Sequence, residues 1–144
     1  MAEGVGFVSA VAGLVASARE VTRISYGYLS DVRRAKRTRS QYSVELSAFT
    51  DVLLRAEQAA LDAEHLGLLA PQPTNLSAEV LDDCHQQLVL LRENLEGRTA
   101  DGRSLTRLKS TFLWPLEEQQ LKKHIDTLHR FRSIFADYVS ASTL

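Results

Sequence analysis

The chain has 144 residues, of which 44% are hydrophobic, with one cysteine and a formal net charge of −1. A chain of this length suits one domain that buries roughly two thirds of the surface its unfolded form exposes, so we expect a single domain over residues 1–144. A lone cysteine excludes an internal disulfide and suits a reducing compartment, and the near-neutral charge argues against a general nucleic-acid-binding protein.

Charge is segregated along the chain. Residues 1–41 hold seven Lys or Arg against three acids, residues 45–101 hold three against eleven, and residues 103–144 hold seven against four. In a bundle, Coulomb attraction would place the basic helices beside the acidic ones. A basic surface that binds an anionic partner is the alternative interpretation, and the sequence does not decide between the two.

The first eighteen residues are the most informative segment. No charged residue lies between Glu3 and Arg19, and three glycines are mixed with apolar side chains. An apolar chain terminus is buried in a core, cleaved as a signal peptide, or inserted elsewhere. Glu3 stands where a signal peptide carries cations, and an uncharged stretch of 15 residues is shorter than the about 20 that span a bilayer. We therefore expect a helix that packs in its own bundle or against a membrane, with these insertion candidates: Phe7, Val8, Val11, Leu14 and Val15.

Apolar residues recur at spacings of three and four from Phe7 onwards, which predicts a first helix about 30 residues long. Gly13 and Gly27 each cost about 1 kcal/mol relative to alanine in a helix interior, so we expect a break or bend near residues 17–20. The predicted buried row is Phe7, Val11, Leu14, Ala18, Val21, Ser25, Tyr28 and Val32.

A basic cluster follows this helix. Its cations would lie near the negative end of the helix dipole, at the turn into a second helix. Close to an anionic bilayer each would contribute about 1 kcal/mol, whereas nucleic-acid binding is a minor alternative because no reading motif accompanies the cluster. The anionic-lipid candidates are Arg33, Arg34, Lys36, Arg37 and Arg39.

The remaining sequence predicts three more long helices and one short helix. The second spans about residues 41–65, the third begins at a Ser77 N-cap and ends at Gly97, and the last spans about residues 115–140. Their buried rows are Tyr42, Leu46, Phe49, Leu53, Ala56, Ala60 and Ala63; Leu81, Cys84, Leu88, Leu91 and Leu95; and Leu121, Ile125, Leu128, Phe131, Phe135 and Tyr138. We expect the short helix to carry Leu105, Leu108 and Phe112. The predicted fold is all-α, an antiparallel bundle of four long amphipathic helices plus one short helix.

No arrangement of residues marks a catalytic, cofactor or metal site. The chain has no Walker-type phosphate loop, and the carboxylate pairs at Asp82 and Glu117 lie in predicted first helical turns, where the dipole favours negative charge. We expect no enzyme activity and no cofactor. Metal binding is not expected either, because we predict exposed positions on helices for all four histidines: His65, His85, His124 and His129.

Several segments resemble a known family. These are residues 1–14 (MAEGVGFVSAVAGL), a Tyr-x-Tyr-Leu-x-x-Val pattern from Tyr26 to Val32, the stripe from Cys84 to Leu91, and Leu-Trp-Pro-Leu from Leu113 to Leu116. Together they are similar to the HeLo-like N-terminal effector domains of fungal STAND (NOD-like) immune receptors. The resemblance implies a helical bundle distantly related to the HeLo domain and to the four-helix bundle of the mixed-lineage kinase domain-like protein.

The resemblance also implies a function in fungal innate immunity or heterokaryon incompatibility. Such a domain is a cytoplasmic cell-death effector that a NACHT or NB-ARC receptor module or an amyloid-signalling partner activates. It then forms a homo-oligomer, relocates to the plasma membrane, binds anionic lipid and permeabilises the bilayer through its N-terminal helix, here a detachable segment over residues 1–18. The alternative is a non-lytic oligomerisation or partner-recruitment module in which the first helix stays in the core.

Overall fold

The structure, a computed structural model, describes residues 2–29, 37–65, 76–96 and 118–142. These residues form four long helices and no strand: α1 (Ala2–Leu29), α2 (Arg37–His65), α3 (Ala78–Leu95) and α4 (Glu118–Ser142). The all-α prediction is thus confirmed for this part of the chain. The predicted short helix at residues 105–112 and the helix start at Pro115 lie outside it.

The predicted apolar rows form one shared core. The row of α3 is buried throughout, and the row of α2 is buried except for Ala63, which is half-buried. Leu76, just ahead of α3, adds a further fully buried side chain. From α1 the core receives Val11, Leu14, Val15, Ala18 and Val21, and from α4 it receives Leu121, Leu128, Phe131, Phe135 and Tyr138.

Two helix predictions differ from the structure in detail. The break that was one alternative near residues 17–20 is absent, since α1 is one continuous helix in which Ala18 and Val21 are fully buried, whereas the other alternative, a bend, stays a prediction. Burying this row in the core offsets the intrinsic cost of the glycines. In addition, α2 begins at Arg37, one turn earlier than the apolar row indicates, because a helix can extend beyond the residues that it buries.

Polar contacts show how the helices face one another. The hydroxyl oxygens of Ser25 and Tyr42 are 2.7 Å apart, so the end of α1 lies beside the beginning of α2. At the other end of α1 the Phe7 ring packs edge-on against Tyr138 of α4, with 5.5 Å between ring centroids. Among the described helices, the α2–α4 interface is the most extensive and α1 packs against both α2 and α3, whereas the α3–α4 interface is much smaller than these three.

Ion pairs join the acidic middle of the chain to its basic end. Arg132 of α4 binds Glu45 of α2, and Arg130 of α4 lies 3.2 Å from a carboxylate oxygen of Asp83 on α3. The Glu45 side chain is only 13% exposed, so solvent screens its pair less than the exposed Asp83–Arg130 pair. These contacts support the interpretation that charge segregation steers helix pairing.

The predicted N-cap of α3 is present. Ser77 has an extended backbone, and its hydroxyl accepts a hydrogen bond from the Val80 amide at 3.2 Å. We expect Ser77→Ala to lower the free energy of unfolding by about 1 kcal/mol, because one amide at the helix start loses its acceptor. Urea unfolding of the variant beside Ser77→Asp, which restores an acceptor and should match the wild type, measures this. An alanine variant as stable as the aspartate variant would contradict the capping role.

Candidate functional site

The insertion candidates share one helix but not one environment. Val11, Leu14 and Val15 are 0%, 1% and 4% exposed and belong to the core of the bundle. Phe7 and Val8 are half-buried near the start of α1. The apolar side chains that would enter a membrane are therefore in use inside the folded domain, and only displacement of α1 would free them.

The opposite face of α1 is open and uncharged. Between residues 6 and 16 the exposed positions are Gly6, Ser9, Gly13 and Ala16. A Cβ atom added at Gly6 or Gly13 would meet no atom within 4 Å, so packing among the described residues does not require glycine at either position. A helix face turned to water ordinarily carries charged and polar residues, and this one carries only small residues.

This small-residue face borders a groove between α1 and α3. The groove has a volume of about 900 Å³, and its walls include Phe7 and Leu14 from α1 and Leu81 from α3. Asp82 and His85 supply its polar side. The beginnings of α1 and α3 therefore form an apolar concavity at one end of the bundle.

Charged residues follow directly after the uncharged segment. Glu20 accepts hydrogen bonds from Arg23 one turn later, and this contact is the main cause that lowers the pKa of its carboxyl. Glu20 also lies 4.0 Å from Arg92, which links α1 to α3. The helix thus has an uncharged stretch from residue 4 to residue 18, and the part after this stretch carries ion pairs.

The basic cluster is only partly within the described residues. Arg33, Arg34 and Lys36 lie outside them, while Arg37 is exposed and Arg39 half-buried in the first turn of α2. These two cations stand at the positive end of the α2 dipole, and the first turn of α2 holds no acid. The turn predicted at these two residues is therefore wrong, because α2 starts earlier than predicted, whereas their position near the negative end of the α1 dipole stays a prediction. The dipole opposes each of them, typically by 0.3–1 kcal/mol.

The structure does not bring the insertion candidates together with Arg37 and Arg39. Leu14 and the end of α1 at Leu29 are separated by about 22 Å at a helical rise of about 1.5 Å per residue, and these two cations begin α2, which lies beside that end. The insertion candidates and the two described cations thus lie toward opposite ends of α1. Contact of both with one bilayer surface would need α1 to lie along it with the core row turned outward.

His124 is the residue that sequence reasoning placed wrongly. It is 6% exposed and faces the core of the bundle, whereas Ile125 is half-buried. The alternation of three and four residues through Leu121, His124 and Leu128 could have revealed this, but a histidine was not counted as a row member. Burial lowers its pKa below the ordinary value.

The single thiol is buried in the same region. Cys84 is fully buried, and burial raises its pKa to about 12, so the thiol is protonated at neutral pH and poorly reactive while the bundle is closed. Across residues 2–29, 37–65, 76–96 and 118–142, no three His, Cys, Asp or Glu side chains are grouped to hold a metal ion. Within the same residues, every helix is too short or too polar to cross a bilayer.

In comparisons with known proteins, no family model, curated protein or solved structure matches the chain.

Proposed function

We propose that the chain is a cell-death effector domain that oligomerises and targets or permeabilises membranes through its apolar N-terminal helix. The observation that carries this proposal is the exposed face of α1, where Gly6, Ser9, Gly13 and Ala16 form a row without a charge. Because the buried face of the same segment is apolar, the segment can leave water without burying an ionised side chain. This property favours membrane entry and is not needed by a helix whose outer face stays in water.

The energetics of membrane entry depend on a trigger. Burying Val11, Leu14 and Val15 contributes about 1.5–3 kcal/mol per side chain, and the gain is similar in a protein core and in lipid. Displacement of α1 therefore needs added free energy, which oligomerisation would supply. In lipid, small residues such as Gly6 and Gly13 allow helices to approach closely.

The length of the uncharged segment sets the depth of insertion. Fifteen residues form a helix about 22 Å long, and the hydrocarbon core of a bilayer is about 30 Å thick. A single copy would therefore enter one leaflet and part of the other. Several copies that thin the bilayer around them would permeabilise it.

The partners and setting in the proposal follow from the resemblance to HeLo-like domains. We propose a cytoplasmic domain that relocates to the plasma membrane of a fungal cell when a NACHT or NB-ARC receptor module or an amyloid-signalling partner activates it. Arg37 and Arg39, with the three cations that precede them, would then attract anionic lipid. We also propose that the whole bundle is antiparallel and that it contains one additional short helix between α3 and α4.

A second candidate function rests on a different observation. The complete burial of Val11 and Leu14 is what a permanent core helix shows. In this case the chain is a non-lytic module that oligomerises or recruits a partner within a STAND signalling protein. The two candidates differ in whether α1 leaves the bundle.

A charge on the exposed face of α1 tests the proposal. Ser9 is exposed near the middle of the uncharged segment, so Ser9→Glu should leave the fold intact. Moving an acidic residue to the centre of a membrane-inserted helix costs about 2.5–3.5 kcal/mol, so we expect dye leakage from phosphatidylserine-containing vesicles to fall tenfold or more. Leakage is measured with the chain fused at its C-terminus to an inducible dimerisation domain, because oligomerisation is the proposed trigger.

Two matched variants complete this test. Ala141→Glu places the same charge at an exposed position of α4 and should leak like the wild type, and Ser9→Leu should also retain leakage. Equal leakage by Ser9→Glu and the wild type, or no leakage by any form after dimerisation, would count against the effector function. Deletion of residues 1–18 or Leu14→Lys discriminates less well, because each removes core packing and unfolds the domain.

A further inference from the structure

The buried histidine lies at a small helix–helix contact of the bundle. His124 faces α3 from α4, and its Nε2 atom is 3.2 Å from Nδ2 of Asn94. Among the described helices, the α3–α4 interface is much smaller than the α1–α2, α1–α3 and α2–α4 interfaces. A change at this pair therefore acts where little other packing holds the two helices together.

The hydrogen bond requires a neutral imidazole. With the Asn94 amide nitrogen as donor, Nε2 of His124 is the acceptor, and the imidazole proton is on Nδ1. Protonation turns Nε2 into a donor, so that two donors face each other at 3.2 Å. The closed interface thus opposes the charged form of His124 unless the amide turns over.

Within the part of the chain that the structure describes, burial is the cause that acts on the pKa of His124, and no neighbouring charge offsets it. A cavity of about 10 Å³ beside His124 is lined on α3 by Cys84 and Gln87 and on α2 by Phe49, and no lining residue is ionised at neutral pH. That volume holds at most about one water molecule, so the charged ring cannot be hydrated in place. Asp83 and Arg130 lie across the same interface and pair with each other.

We infer that the α3–α4 interface is an acid-sensitive latch, in which uptake of a proton by His124 separates α3 from α4. The open form hydrates the imidazolium and accepts the proton near the ordinary histidine pKa of 6.5, whereas burial lowers the pKa of His124 in the closed form. The open form therefore binds more protons, and its population rises as the pH falls through 6.5. This property holds whether or not the domain acts on membranes.

Cys84 is a built-in reporter of the opening. It lines the same cavity and is the only thiol of the chain, so a neutral aromatic disulfide such as 4,4′-dithiodipyridine reaches it when the interface opens. We expect opening to increase about tenfold between pH 7.5 and pH 5.5, the gain for one proton taken up near pH 6.5. We divide the labelling rate of the wild type at each pH by that of His124→Gln. This division cancels the pH dependence of the reaction between the thiol and the reagent.

Two variants and a control make the test specific. His124→Gln keeps a polar partner for Asn94 and serves as the reference. Asn94→Asp, which supplies a carboxylate to the imidazolium, should give a labelling ratio to this reference that does not rise as the pH falls. His65→Gln, at an exposed position at the end of α2, should retain the full acceleration. Two results would overturn the latch. One is a labelling rate of Asn94→Asp that acid accelerates as much as it accelerates that of the wild type, and the other is a ratio of wild type to His124→Gln that changes less than twofold between pH 7.5 and pH 5.5.

Discussion

Leu14→Ala should lower the free energy of unfolding by about 2–5 kcal/mol, the usual range for removing a fully buried leucine. Leu14 is 1% exposed and belongs to the apolar row that anchors α1 in the core. The substitution keeps the segment uncharged, so it weakens the bundle without adding a charge that lipid would reject. Urea unfolding followed by circular dichroism measures the change.

The two candidate functions predict different consequences of this variant. If α1 leaves the bundle to enter lipid, weaker packing lowers the cost of its release, and vesicle leakage should rise. If α1 is a permanent core helix, the variant is merely less stable and no leakage appears. Ser9→Ala, at an exposed position of the same segment, is the control and should change neither stability nor leakage. Leakage below that of the wild type, in a variant still folded, would argue against release of α1.

Much of this fold could be predicted from hydrophobic spacing. The rows on α2 and α3 were nearly all assigned correctly, because a helix that buries one face repeats apolar residues at three and four. Ser77 was also recognisable, since a hydroxyl directly before an apolar row satisfies amides at a helix start.

The errors have physical causes. The start of α2 was placed too late because Arg37 and Arg39 contribute to no apolar row, although a helix can carry cations in its first turn at a modest cost. His124 was expected to be exposed because polar residues usually are, yet one hydrogen bond to Asn94 allows a neutral imidazole to occupy a core position.

The candidate site was only partly predictable. The sequence identified the uncharged segment and a buried row through Val11 and Leu14, but it could not show which of the other residues between 6 and 16 pack against neighbouring helices and which face water. That division depends on how α1 packs against α2 and α3. It is this division that places an uncharged row on the outside of the domain and makes Ser9 a better test position than Leu14.

Phe49→Ala should destabilise the domain by about 3–5 kcal/mol, the range for truncating a fully buried aromatic side chain. Phe49 is 0% exposed on α2 and lines the cavity beside Cys84 and His124, so its loss enlarges a space between α2, α3 and α4. Phe49→Leu keeps most of the volume and should cost less than half as much. Urea unfolding of both variants gives the comparison, and a loss below 1 kcal/mol for alanine would show that the core can close around the gap.

Comparing Phe49→Ala with Leu14→Ala separates release of α1 from general loosening. Both variants remove a core side chain, but only Leu14 lies on the helix proposed to leave the bundle. If insertion needs α1 alone to detach, Leu14→Ala should leak more than Phe49→Ala at an equal loss of stability, with urea used to match the two. Equal leakage at matched stability would mean that the membrane-active form is the unfolded chain. If only α1 were detached in that form, the substitution on α1 and the substitution on α2 would change leakage by different amounts.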